Sequence, residues 1–214
     1  MKKSFSVVGT ILVVLSLSGI AGALEYTFQP NYNNQGGDNN LFDLNDLDHS
    51  KVYTWGINWN LPANQTIVGA SLSFDNIKNW KKPTRSDPND LWVDLLNSAT
   101  NGVTVESDNE PGQVNYFSES EKEGKNTLLK KWHNLSNKPQ DITYNFKKIQ
   151  VEKLTSYLND GTFGLGFDPD CHFYNDGITL TIQTTTVVPE PATLLLFGGG
   201  LLGLAGIVRK RLNK

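Results

Sequence analysis

Thr162–Val187 reads TFGLGFDPDCHFYNDGITLTIQTTTV, and both of its ends alternate. Phe163, Leu165 and Phe167 recur at every second position, as do Ile178, Leu180 and Ile182, the last three separated by threonines. Successive side chains of a strand point to opposite faces, so this period predicts two strands, each with one face on a core and one in water. The polar run between them, FDPDCHFYNDG, carries Asp-Pro and Asn-Asp-Gly, which are ordinary turn signals.

The same period extends toward the N-terminus. VYTWGINW sets Tyr53, Trp55, Ile57 and Trp59 on one face, an aromatic row suited to filling a sandwich interior. TIVGASLSF sets Val68, Ala70, Leu72 and Phe74 together, and DITYNF sets Ile142, Tyr144 and Phe146 together. Shorter strand candidates are YTF at Tyr26, LWVDLL at Leu91, GVTV at Gly102 and QVNYF at Gln113. One segment departs from this pattern. In IQVEKLTSYLNDG, Val151, Leu154 and Leu158 have helical spacing, and Asn159-Asp160-Gly161 supplies a stop. A single short helix among so many strands argues against βαβ units. The sequence therefore predicts an all-β fold, an antiparallel β-sandwich of jelly-roll type over residues 24–187. Two polar stretches interrupt it, QPNYNNQGGDNNLFDLNDLDHSK and SESEKEGKNT.

The two ends of the chain are of another kind. Lys2 and Lys3, the apolar run Val7–Leu17 and the small-x-small pattern at Ala21 and Ala23 form a secretory signal peptide, residues 1–23, for signal peptidase to cleave after Ala23. At the other end, VVPEPATLLLFGGGLLGLAGIVRKR is uncharged from Pro191 to Val208. As a helix, residues 192–208 would span roughly 25 Å, the short end of what crosses a bilayer. Arg209, Lys210 and Arg211 would stop it on the cytoplasmic side, leaving a basic tail at 209–214. Six of the 19 basic residues sit in these terminal segments, so the middle of the chain carries 13 basic and 21 acidic residues. A domain that acidic repels phosphate, which excludes nucleic acid as a partner.

Pro189, Glu190 and Pro191, the apolar segment and the Arg-Lys-Arg stop together resemble the PEP-CTERM sorting signal of Gram-negative bacteria. The resemblance covers residues 188–214. It implies that Pro189-Glu190-Pro191 is recognised by an exosortase-like transpeptidase, and that the chain waits as a precursor in the inner membrane. It also implies release to the cell surface or to an extracellular matrix of exopolysaccharide, as in a biofilm. About the acidic domain it implies nothing.

Within that domain, Asp168, Asp170 and Asp176 crowd one loop region, and Asp43 and Asp46 lie in an early loop that a sandwich can bring alongside. Oxygen ligands on a rigid sheet suit calcium, the cofactor these residues would hold. Zinc is disfavoured, because His49, His133 and His172 show no ligand spacing. Trp80, Trp132 and Tyr174, aromatics next to polar residues, are the candidates for stacking on a sugar ring. Cys171 is the one cysteine and cannot form an internal disulfide; burial is its expected state. No nucleophile elbow, phosphate loop or dinucleotide fingerprint occurs outside the terminal apolar segment. The expectation is an exported, non-enzymatic protein with a structural or carbohydrate-binding role. The alternative is a secreted hydrolase acting on polysaccharide.

Overall fold

A computed structural model describes residues 23–30, 44–84, 89–109 and 114–186. The signal peptide up to Gly22, with Ala21, lies outside the described residues. So do Asp43 and the whole segment 188–214, with Pro189, Glu190, Pro191, Arg209, Lys210 and Arg211. Among the described residues no helix is long and apolar enough to cross a membrane.

The strands are β1 (Ala23–Phe28), β2 (Asp46–Leu47), β3 (Lys51–Asn58), β4 (Gln65–Asn79), β5 (Asp90–Leu96), β6 (Gly102–Ser107), β7 (Asn126–His133), β8 (Gln140–Asn145), β9 (Thr162–Pro169), β10 (Phe173–Tyr174) and β11 (Gly177–Thr186). Two helices, α1 (Ser118–Lys122) and α2 (Lys148–Tyr157), complete the elements used below. One sheet runs β1-β11-β4-β10-β2, with β8 also paired to β4; the other runs β6-β3-β9-β5-β7. Every strand pair in both sheets is antiparallel. The first sheet is narrower than its strand count suggests. β10 and β11 follow the same edge of β4 in unbroken register, from Phe173 opposite Asn79 to Gly177 opposite Asp75. Together they act as one interrupted strand.

The core lies between the sheets. Leu72, Phe74, Leu180 and Ile182 face Tyr53, Leu165, Phe167 and Val93, all of them buried. The rings of Phe74 and Phe167 meet edge to face at 6.2 Å, the preferred geometry for two aromatic quadrupoles. α2 forms where the helical spacing predicted it; a 3-10 turn over Leu158–Asp160 continues it to Gly161, whose φ of 79° is the left-handed stop that glycine adopts without steric cost. Its Gln150 is buried and fully used. Nε2 donates to the carbonyls of Leu128 and Leu129, while Oε1 accepts from Tyr144 Oη and the Lys147 N–H.

Three sequence expectations need correction. Val68 does not join the core face. The pairing of β4 with β11 shifts between Gln183 and Thr184, so Val68 is the extra residue of a β-bulge and is 55% exposed, while Ile67 takes the inward position at 5%. QVNYF forms no strand over its described part, because Tyr116 and Phe117 make a turn that leads into α1. The polar stretch SESEKEGKNT is not all loop, since it supplies α1 and the first residues of β7. β7 escaped the sequence reading because its register against β5 also shifts, between Val93 and Asp94, which spoils the alternation of NTLLKKWH.

The outer face of the five-stranded sheet is covered as well. Gly166 of β9 leaves room for the Phe117 ring, which a Cβ there would meet at 2.5 Å. Val52, Leu96 and Phe117 form a small second core above that face.

Candidate functional site

The first polar centre lies where β2, β10 and the far end of β4 converge. Phe173 pairs with Leu47 and Tyr174 with Asp46. Phe173 and Leu47 are buried, so alternation turns their neighbours outward: Asp46 and Asp48 on one strand, His172 and Tyr174 on the other. His172 Nε2 stands 3.6 Å from Asp46 Oδ1 and 3.5 Å from Asp48 Oδ2. His49 Nδ1 is 3.2 Å from Asp48 Oδ1, and the His49 and His172 rings meet edge to face at 5.3 Å.

The backbone beneath this cluster is held from inside. The buried Tyr53 hydroxyl accepts from the Asp48 N–H at 2.8 Å and donates to the Asp46 carbonyl at 3.1 Å. Ser50 donates to Asp48 Oδ1 through both its N–H and its hydroxyl. Burial raises the Asp48 carboxyl, but these two hydrogen bonds and the fields of His172 and His49 outweigh it and hold the pKa below the usual value. Asp48 is thus kept anionic and aimed.

Two aromatics border the cluster. Trp80 follows β4 directly and is 57% exposed; Tyr174 is 39% exposed and stacks on His172 at 6.1 Å. Trp80 is pinned at one edge, where its Nε1 donates to the buried Sγ of Cys171 at 3.0 Å. Cys171 Sγ in turn donates to Asn79 Oδ1. Lys81 lies over the Trp80 ring and Lys78 over Tyr174. Trp132 is elsewhere. It sits on β7, half-buried, with its ring against Phe74 and Tyr144 in the core.

The second polar centre is on the outer face of the five-stranded sheet. Trp92 pairs with Asp168 and Asp94 with Gly166, so Asp94 and Asp168 are diagonal neighbours on one face. Both are buried, at 0% and 1% exposure. Asn115 Nδ2 is shared between Asp94 Oδ2 at 2.9 Å and Glu121 Oε1 at 2.7 Å, and the Tyr116 N–H donates to Asp168 Oδ2 at 2.7 Å. Burial, followed by the nearby Glu121 and the charge of Asp168, raises the Asp94 carboxyl to about 8 against the hydrogen bond from Asn115. Burial likewise raises Asp168 to about 7, with Asp108 and Asp170 adding repulsion and the Tyr116 N–H opposing it. Each is a carboxyl whose neutral form the fold favours.

Among the described residues, the four carboxylates singled out for calcium, Asp46, Asp168, Asp170 and Asp176, fall in three different places. Asp168 and the neighbouring Asp170 belong to this second centre. Asp176 lies between β10 and β11, accepting from Asn76 Nδ2 beside Asp75 and Asp141. Asp46 is in the histidine cluster, and Asp43 lies outside the described residues. Sequence reasoning missed the pairing of His49 with His172, and it missed Asp94 with its partners Asn115 and Glu121. The one available signal was the period-two spacing of Asp46 and Asp48, matched by that of His172 and Tyr174.

Beyond the β structure, residues 187–211 match the family model of the PEP-CTERM protein-sorting motif. The chain carries a PEP-CTERM sorting signal. That signal marks an exported, membrane-anchored precursor of a Gram-negative bacterium, processed by exosortase-type machinery. A comparison with curated proteins gives no match. Ala23, the last residue of the expected signal peptide, is the first residue of β1 and pairs with Thr185. Cleavage after Ala23 would leave Leu24, paired with Thr184, as the new N-terminus.

Proposed function

We propose that this PEP-CTERM protein is a non-enzymatic component of the cell surface or exopolysaccharide matrix, and that its β-sandwich binds carbohydrate through Trp80 and Tyr174. The observation that carries the binding reading is the exposed Trp80 ring at the end of a core strand. It is fixed at one edge by Cys171, and Tyr174 and charged groups lie around the same histidine. A rigid exposed ring beside polar groups suits the apolar face of a sugar, since little side-chain freedom is lost on binding. The strand order supports the same reading. β1-β11-β4-β8 opposite β3-β9-β5-β7 is the order of a jelly roll, an architecture that lectin domains share. That likeness is one of fold alone.

The hydrolase alternative would need two accessible carboxyls, one of raised pKa, across a cleft. Asp94 and Asp168 have the raised pKa values but are buried beneath the Tyr116–Phe117 turn, which favours the non-enzymatic reading.

The test is retention of the full chain, in detergent, on immobilised neutral β-glucans and on uronate polymers. Trp80→Ala serves as the paired variant. Wild-type retention weakened at least tenfold by the substitution is the expected result. Absence of retention on every polymer, or equal retention of the variant, would leave a structural filler; release of reducing sugar would favour the hydrolase.

A further inference from the structure

We propose that Asp48, His49 and His172, with Asp46 beside them, form a binding site for one divalent transition-metal ion of the zinc class. Ligand atoms of Asp48, His49 and His172 all lie within 4.8 Å of one another. In a tetrahedral zinc site, with bonds of about 2.0–2.1 Å, neighbouring ligand atoms stand roughly 3.3 Å apart.

The donor set favours zinc over calcium or magnesium. Two imidazoles with carboxylate suit a borderline-soft ion, whereas the hard cations take oxygen alone. Asp48 is oriented as metal-binding carboxylates are, with Oδ1 engaged by Ser50 and Oδ2 turned toward His172. Asp46 Oδ1 lies 3.6 Å from His172 Nε2, at the border of the three-ligand set. The ion would clip the β2–β3 turn to the start of β10. β2 and β10 are two-residue strands with few ladder hydrogen bonds of their own, so a clip there stabilises the sheet edge beneath Trp80 and Tyr174. The site stands independently of the carbohydrate reading, because Trp80 contributes no ligand atom.

The experiment uses the full chain in detergent, without a polyhistidine tag, stripped with chelator and titrated with zinc sulfate by calorimetry at neutral pH. One zinc per chain is expected, together with a rise in melting temperature that chelator reverses. His172→Ala and Asp48→Asn should each weaken binding at least about tenfold. His133→Ala, which alters the one histidine outside the cluster, should leave it unchanged, as should Trp80→Ala. The side chain of His49 is 53% exposed, so His49→Ala keeps the fold and provides the variant that isolates ligation from stability. Cobalt(II) should give the intense visible absorption of a four-coordinate site in the wild type and lose it in His49→Ala. No stoichiometric zinc uptake, or uptake undiminished in both His49→Ala and His172→Ala, overturns the proposal.

Discussion

Asp94→Asn should make this protein more stable at neutral pH. Asp94 is fully buried, and its carboxyl is raised from 3.8 to about 8. A group whose folded pKa lies above its unfolded value contributes stability that is complete below the unfolded pKa and lost as pH rises toward the folded one. For Asp94 that window runs from near 3.8 to about 8. At pH 7 the unfolded chain would ionise this side chain freely while the folded chain must keep it protonated. The difference comes to about 4 kcal/mol at 1.36 kcal/mol per pKa unit. Asparagine has the shape of the protonated acid. Its carbonyl can accept from Asn115 Nδ2 and its amide can face Glu121. Allowing for the desolvation of the amide itself, a net gain of about 2 kcal/mol is expected, which for a domain of this size raises the melting temperature by about 4–8 °C. The assay is thermal unfolding of the full chain followed by circular dichroism at pH 5 and pH 8. The wild type should melt higher at pH 5, and Asp94→Asn should keep only the part of that difference contributed by Asp168, whose carboxyl is raised to about 7. A variant that melts lower than wild type at pH 7, or a wild type whose stability rises from pH 5 to pH 8, refutes the reasoning. Either result would mean that Asp94 is buried as a compensated anion.

Four further substitutions test the packing. Ile67→Ala should cost about 2–4 kcal/mol and Val68→Ala less than about 0.5 kcal/mol in denaturant unfolding, because the bulge buries the first and exposes the second. Equal costs would remove the bulge from the account. Gly56→Ala should destabilise by about 3 kcal/mol, since a Cβ there would lie 1.9 Å from the Thr100 carbonyl oxygen and that backbone cannot turn aside; a wild-type melting temperature would contradict the close approach. Gln150→Leu should cost about 3 kcal/mol, because it removes the hydrogen-bond partners of the Leu128 and Leu129 carbonyls and the Tyr144 hydroxyl. Hydrogen exchange localises the effect: the amides of α2 and β7 should lose protection before those of β9.

The C-terminal sorting signal was legible from the sequence because it is a linear code. A tripeptide, an apolar run and a basic stop need no partner elsewhere in the chain, and the family match falls on those same residues. Most of the strands were legible for a similar reason. Facing alternates along a strand whatever it pairs with, so Phe163, Leu165 and Phe167 or Ile178, Leu180 and Ile182 declare their buried face locally. The left-handed stop at Gly161, which ends the 3-10 turn after α2, is local too.

Tertiary structure decided the rest, because register belongs to two strands at once. No local signal in TIVGASLSF says that β11 will skip Val68 and reverse the facing of everything before it. Nothing in LWVDLL says that the Asp94 side of β5 will be roofed by Phe117 and Asn115, which turns an apparently solvent-facing carboxyl into a buried one. His49 and His172 carry no spacing that a reader of one strand could recognise. They become neighbours only when the ladder between β2 and β10 sets Asp46 opposite Tyr174, and that pairing is a property of the folded sheet.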